Sequence, residues 1–160
     1  MKLILYFGHT GTTKKAAMLL QERLKDTVVM DGTKKNKIQF TDYDAIIFGV
    51  NIRGGKLNKK FVKFYKKLIK KESPQTHAAF IVAGDENRKA MYMNLARDLL
   101  KQDSYIGFFG GEFDPTHAKG ITRAILVSCR QTFIDRDLPL PSLKMDAIED
   151  FAAHLNAEIE

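Results

Sequence analysis

The chain has 160 residues, 44% of them hydrophobic and 28% charged, and its 26 Lys and Arg against 19 Asp and Glu leave a formal charge of +7. That composition suits one domain with a sizeable core and excludes whole-chain disorder or a fibrous architecture. The single cysteine, Cys129, makes no internal disulfide, the apolar runs are too short to span a bilayer, and no charged-then-apolar leader precedes Leu3. These features lead to the expectation of a reducing, cytoplasmic setting.

In chain order, Leu3 to Phe7, Thr27 to Met30, Ala45 to Val50, Ala78 to Ala83 and Ile106 to Phe109 are short runs rich in β-branched and aromatic residues, apolar without polar alternation. Strands covered on both faces read this way. Between and after them come apolar residues at helical spacing: Ala16, Leu20 and Leu24; Phe61, Phe64, Tyr65, Leu68 and Ile69; Met91, Leu95 and Leu99; then Ile148, Phe151, Ala152, Leu155 and Ile159. Parallel neighbours need crossover connections, so this alternation predicts an α/β three-layer sandwich, a parallel sheet with helices on both faces. The stretch from Met30 to Asp44, with Lys34, Lys35 and Lys37, is too short and too basic for a long helix and predicts a loop or single turn. From Lys119 to Phe133, Ile121, Ile125, Cys129 and Phe133 recur every fourth residue and favour a helix with an inert, buried thiol, although Ala124 to Val127 also fits a short strand. Pro139 and Pro141 enforce an extended connector, after which Ser142 is positioned to cap the last helix.

Directly after the first strand stands Gly8-His9-Thr10-Gly11-Thr12-Thr13, succeeded by a helix. A glycine there lets successive backbone N–H groups turn inward, the threonine hydroxyls add donors, and the helix N-terminus supplies positive potential, which together suit a phosphate monoester. The same residues also suit a plain strand-to-helix turn with Thr12 or Thr13 as N-cap. The chain has no Gly-x-x-x-x-Gly-Lys-Ser/Thr nucleotide loop and no Gly-x-Gly-x-x-Gly dinucleotide loop.

Thr10-Gly11-Thr12-Thr13, together with Tyr43-Asp44-Ala45-Ile46-Ile47-Phe48-Gly49 and Ala83-Gly84-Asp85, resembles the phosphate loop, third strand and second flavin loop of the flavodoxin-like family. The resemblance covers most of the chain and implies a five-stranded parallel sheet of order 2-1-3-4-5 with FMN at the carboxyl ends of the strands. It departs from the usual pattern at Gly8, where a hydroxyl is common, at Thr12, where Asn is common, and in having no Trp.

On that reading Asn51-Ile52-Arg53-Gly54 and Gly84-Asp85-Glu86-Asn87 are the loops facing the flavin ring, with Arg53 suited to stack on a ring or hold a carboxylate; both also suit plain turns. Arg53 to Lys71 carries nine basic residues and no acidic one. Its lysines on a helix, from Lys59 to Lys71, form either a solvated face or a docking surface for an acidic redox partner or an anionic membrane. No aromatic interleaving supports nucleic acid. The stretch Asn51 to Leu57 also resembles the menaquinone-dependent protoporphyrinogen oxidase branch, but the chain reads as short after Asp114, where that branch has an additional loop. His9, His77, His117 and His154 have no metal-ligand spacing, so no metal is expected, and Asp114-Pro115-Thr116-His117 reads as a turn. An FMN-dependent electron carrier needing no catalytic side chain is the leading expectation, ahead of an FMN-dependent oxidase of the protoporphyrinogen type and of a flavin-free interaction domain.

Overall fold

A computed structural model describes residues 1–34, 37–71 and 76–159, so Lys35 lies outside the described residues. In chain order the elements are β1 (Lys2–Phe7), α1 (Thr12–Gln21), β2 (Thr27–Asp31), β3 (Ala45–Arg53), β4 (Lys56–Leu57), α2 (Lys59–Ile69), β5 (Thr76–Val82), α3 (Lys89–Leu99), β6 (Tyr105–Phe108), α4 (Gly120–Asp135) and α5 (Met145–Ile159). The path of parallel strands is β2-β1-β3-β5-β6, which is the expected 2-1-3-4-5 order once the short antiparallel β4 is set aside. Leu3 lies beside Val28 and Ile46, and Phe48 beside Ala79, so the apolar runs meet in register.

Because successive strand residues point to opposite faces, the sheet divides its apolar side chains between two cores. Leu3, Leu5, Phe7, Ile46, Phe48 and Ile81 meet Phe61, Tyr65 and Leu68 of α2 and Tyr92 and Ala96 of α3. Ile4, Ile47, Phe80 and Val82 meet Ala16, Ala17 and Leu20 of α1 and Ile148, Phe151, Ala152 and Leu155 of α5. Among its described residues, the crossover from β2 to β3 holds a single 3₁₀ turn, Phe40–Asp42.

Several expectations are corrected. On α3 the buried residues are Tyr92 and Ala96, whereas Met91 is 44% exposed, because a 3₁₀ turn capped by Asp85 enters the helix and sets its rotation. Leu95 and Leu99 are half-buried beside the same core. Ser142 does not cap α5: Leu143 is pinned to Gly110 by an isolated bridge, Lys144 N–H donates to Phe109 O at 2.8 Å, and the helix starts only at Met145. Residues 120–133 are helical, but α4 has no fully buried residue. Ile121 is 78% and Ile125 56% exposed, and Cys129 is half-buried rather than enclosed. Between β6 and α5 stand α4 and its Pro139-Leu140-Pro141 exit. This insertion stands at the carboxyl ends of the strands, off the sheet faces, so its apolar spacing does not report burial.

Candidate functional site

β1 ends in a turn shaped by its glycines. A Cβ on Gly8 would lie 2.7 Å from both Cβ and Oγ1 of Thr13, so Thr13 occupies the space that a side chain at position 8 would take. The hydroxyl missing at Gly8 is thus supplied to the same region from the first turn of α1. Gly11 stands at the N-cap of α1 with φ 89°, a left-handed conformation that favours glycine, and no side chain caps the helix. Thr12 and Thr13 are therefore not caps. They are first-turn residues, 6% and 3% exposed, and among the described residues no protein group hydrogen-bonds their hydroxyls or that of Thr10. Partnerless hydroxyls on a cavity wall and orphan N–H groups at a helix start are the donor set an anion requires.

β3 continues to Arg53, and Gly54 and Gly55, with φ 58° and 73°, turn it back into β4. Ile52 pairs with Leu57 and Arg53 with Lys56, which makes a two-residue hairpin; positive φ at both turn positions accounts for the two glycines. Asn58, 3% exposed, locks the start of α2 to the end of β3. Its Oδ1 accepts from the N–H groups of Lys60 at 3.0 Å and Phe61 at 3.3 Å, capping α2, while its Nδ2 donates to Asn51 Oδ1 at 2.8 Å and faces His9 Nε2 at 3.4 Å. An amide N–H₂ facing Nε2 fits a neutral ring with its proton on Nδ1. Burial, and then the charges of Arg53 and Lys60, hold the His9 pKa below its ordinary value.

The third wall is the loop after β5. Asp85 Oδ1 accepts from Asn87 N–H at 3.1 Å, fixing the turn, and Glu86 reaches outward to Lys144 at 2.8 Å. A Cβ on Gly111 would meet the Ala83 and Gly84 backbone within 2.9 Å, so the loops after β5 and β6 pack main chain to main chain. Beyond β6, Asp114 accepts from both the backbone and hydroxyl of Thr116, forming the expected turn and holding its carboxyl below the usual range.

These elements enclose a cavity of about 320 Å³ where Thr10, Thr12 and Thr13 face Asn51, Arg53 and Gly84. A neighbouring cavity of about 550 Å³ shares Ile52, Gly54, Ala83, Gly84 and Phe113 with it and reaches Asp85 and Asn87. His9, Thr10, Thr12, Thr13, Asn51, Ile52, Arg53, Gly54, Gly84, Asp85 and Asn87 are thus brought together. Gly8 and Gly11 shape the turn without lining these cavities, and Glu86 stands outside them.

Sequence reasoning missed the outer wall. Phe113 and the inner face of α4, Thr122, Leu126, Cys129 and Phe133, line the two cavities. Phe113 meets Phe133 edge to face with centroids 5.2 Å apart, and Arg53 donates to Thr122 Oγ1 at 3.3 Å. The available signal was the apolar set Ile125, Leu126, Cys129 and Phe133, which periodicity alone does not orient. Lys15 and Glu112, 2.8 Å apart, tie α1 to the loop after β6.

The lysines of α2 are exposed, and among the described residues none pairs with a carboxylate. Among those residues, too, no helix is long and apolar enough to cross a membrane.

A family model described as a flavodoxin domain matches residues 3–127. No curated protein matches the chain. Among solved structures, a Streptococcus pneumoniae TIGR4 flavodoxin aligns with TM-score 0.59 at 16% identity, covering 98% of both chains. A flavoprotein from Lactobacillus acidophilus NCFM in complex with FMN aligns with TM-score 0.54 at 18% identity, over 69% of this chain and 91% of that one. A flavo di-iron protein from Thermotoga maritima aligns with TM-score 0.59 at 17% identity, over 99% of this chain and 36% of that one. At these identities the structural likeness establishes the fold.

Proposed function

Because the chain belongs to the flavodoxin-domain family, we propose that it binds FMN at the carboxyl ends of its parallel strands and serves electron transfer in the cytoplasm. The observation that carries this reading is the uncapped start of α1 beneath three threonine hydroxyls with no protein partner among the described residues. A phosphate monoester accepts from such donors and is favoured by the helix dipole. The adjoining cavities suit a ring system bounded by Ile52 and Phe113, with the backbone of the Gly54 and Gly84 loops at its edge. The FMN-complexed Lactobacillus protein supports the choice of cofactor. Bound FMN supplies the one- and two-electron chemistry. The chain's own residues then anchor the phosphate, limit water at the ring and surround it with positive charge, and none is needed as a proton donor.

The lysine face from Lys59 to Lys71 is the docking surface in this reading, for an acidic redox protein or an anionic membrane. Reversing Lys63, Lys66, Lys67 and Lys70 to Glu is expected to abolish association while FMN binding persists, and association of the unaltered protein is expected to weaken steeply with salt.

The decisive experiment compares FMN with riboflavin. Replacing Thr10 and Thr13 by Ala is expected to weaken FMN at least about tenfold and riboflavin hardly at all, since each lost charge-assisted bond is worth roughly 1.5–3 kcal/mol. Equal loss for both ligands, or no flavin binding by the unaltered protein, overturns the reading. A second reading, an FMN-dependent oxidase of the protoporphyrinogen type, is favoured by one observation: α4 roofs the cavities with an inner face that is only half-buried, as a wall for a further ligand would be. Sustained porphyrinogen turnover with a quinone acceptor, above free FMN, would establish it.

A further inference from the structure

A third cavity, of about 470 Å³, adjoins the first at His9, Arg53 and Gly54. Its remaining wall includes Lys56, Lys59 and Lys60, with Leu57 as the apolar element. Four full positive charges line this volume and no acidic residue does. Among the described residues no carboxylate pairs with any of the four. Among those residues the Arg53 side chain makes the single 3.3 Å bond to Thr122 Oγ1.

The backbone that carries these cations is fixed, while their side chains are exposed. Lys56 is paired to Arg53 across the hairpin, so the two sit on neighbouring strands. Lys59 and Lys60 open α2, whose first turn is fixed to the end of β3 by the buried Asn58 and its bonds to Asn51, Lys60 and Phe61. Four like charges around one volume sum to a positive potential that attracts anions, most strongly at low salt. Burial first, and then the charges of Arg53 and Lys60, lower the His9 pKa, and the second cause is consistent with that positive potential. The threonine hydroxyls line the first cavity and not this one, so a phosphate seated on them leaves the third cavity free.

We propose that the cavity bounded by His9, Arg53, Lys56, Lys59 and Lys60 is a second anion site, which holds a small organic molecule carrying two or more carboxylate or phosphate groups beside the flavin site. Four unpaired cations call for more than one negative charge, and the volume lies in the range of small-molecule sites. Leu57 provides contact for a carbon skeleton. The neighbouring position of the flavin rests on the functional reading above, whereas the anion site itself does not.

The test titrates pyrophosphate and, separately, propane-1,2,3-tricarboxylate into FMN-loaded protein at low salt, with the His9 ring and the Lys59 and Lys60 amides tracked by NMR. Saturable shifts at these three residues with FMN retained are expected, together with a rise in the His9 pKa as the added charge offsets its cationic neighbours. The double variant Arg53→Ala with Lys60→Ala is expected to bind the better probe at least about tenfold more weakly, while Lys25→Ala with Lys34→Ala, which removes the same charge elsewhere, leaves it unchanged. Tighter tricarboxylate binding marks a carboxylate ligand and tighter pyrophosphate binding a phosphate ligand, and either supports the site. Equal weakening by both double variants, or displacement of FMN without shifts at Lys59 and Lys60, overturns it. Should the protein bind no FMN, the titration is made on the Thr10→Ala, Thr13→Ala variant. Shifts at His9, Lys59 and Lys60 there support the anion site although the flavin reading has failed, and their absence overturns it.

Discussion

Two neighbouring helices of similar length and comparable apolar content meet opposite fates. α5 buries Ile148, Phe151, Ala152 and Leu155 against the sheet, whereas α4 buries none of its residues fully. Both carry apolar residues at helical spacing, so periodicity does not separate them. What separates them is position: α5 covers a sheet face, where every strand presents an apolar side chain, and α4 covers the strand ends, where loops and cavities lie. Hydrophobic spacing therefore reports a helix, and only the layer it occupies decides whether its stripe is core or wall.

The largest expected effect lies on α5. Phe151 is 1% exposed and meets the rings of Phe80, Phe109 and Tyr105 at centroid separations of 6.3, 5.3 and 5.1 Å. Phe151→Ala is expected to cost about 3–5 kcal/mol in denaturant unfolding, the range for emptying a large core site. A loss of under about 1 kcal/mol would mean that α5 is a wall like α4.

A smaller effect extends the comparison to the histidines. His77 is buried behind α2, where Tyr65 accepts from Lys101 N–H at 3.0 Å and its hydroxyl lies 3.2 Å from His77 Nδ1, while His9 stands at the mouth. A neutral His77 ring meets the tyrosine hydroxyl through Nδ1 as acceptor or as donor, according to its tautomer. Desolvation, and then the charge of Lys101, lower the His77 pKa to about 4. The unfolded chain thus binds this proton near the ordinary value of about 6.5 and the folded chain only near 4, so the contribution of a neutral His77 is complete above about pH 6.5 and declines as pH falls toward 4. The loss across that window is on the order of 3 kcal/mol. His77→Gln should flatten the acid limb of stability against pH; a curve unchanged by the substitution would show that another group governs it. His9, exposed at the mouth, is expected to contribute far less.

The sheet was legible in the sequence because strands buried on both faces cannot be mistaken for much else: Leu3 to Phe7 and Ala45 to Val50 have no polar face to present. The turn after β1 was legible because glycine and hydroxyls cluster where a doubly wound fold places a helix N-terminus. The role of Gly8 was not, since the closeness of Thr13 to it is a matter of distance rather than composition. The α3 face was misread because Met91, Leu95 and Leu99 outweigh Tyr92 and Ala96 in hydrophobicity, yet the 3₁₀ turn before the helix sets the rotation. The third cavity was half legible. The run of basic residues was plain, but the hairpin that sets Lys56 against Arg53 brings them to one volume with His9.

The smallest expected effect on stability, and the sharpest on the comparison, is at Phe133. Its ring is half-buried and packs edge to face on Phe113, and it lines a cavity rather than filling a core. Removing it leaves space that water already reaches, so the cavity cost that dominates at Phe151 is largely absent. What goes is the ring contact and part of the buried area, about 1 kcal/mol or less. Phe133→Ala is accordingly expected to leave the unfolding midpoint almost unmoved while hydrogen exchange accelerates in the backbone of α4 and stays slow in α5. If exchange accelerated equally in both helices, with a loss approaching that of Phe151→Ala, α4 would belong to the same cooperative unit as the sheet. A local change confined to residues 120–135 would instead make α4 a separately opening wall over the cavities, whose stability can alter without altering the fold beneath it.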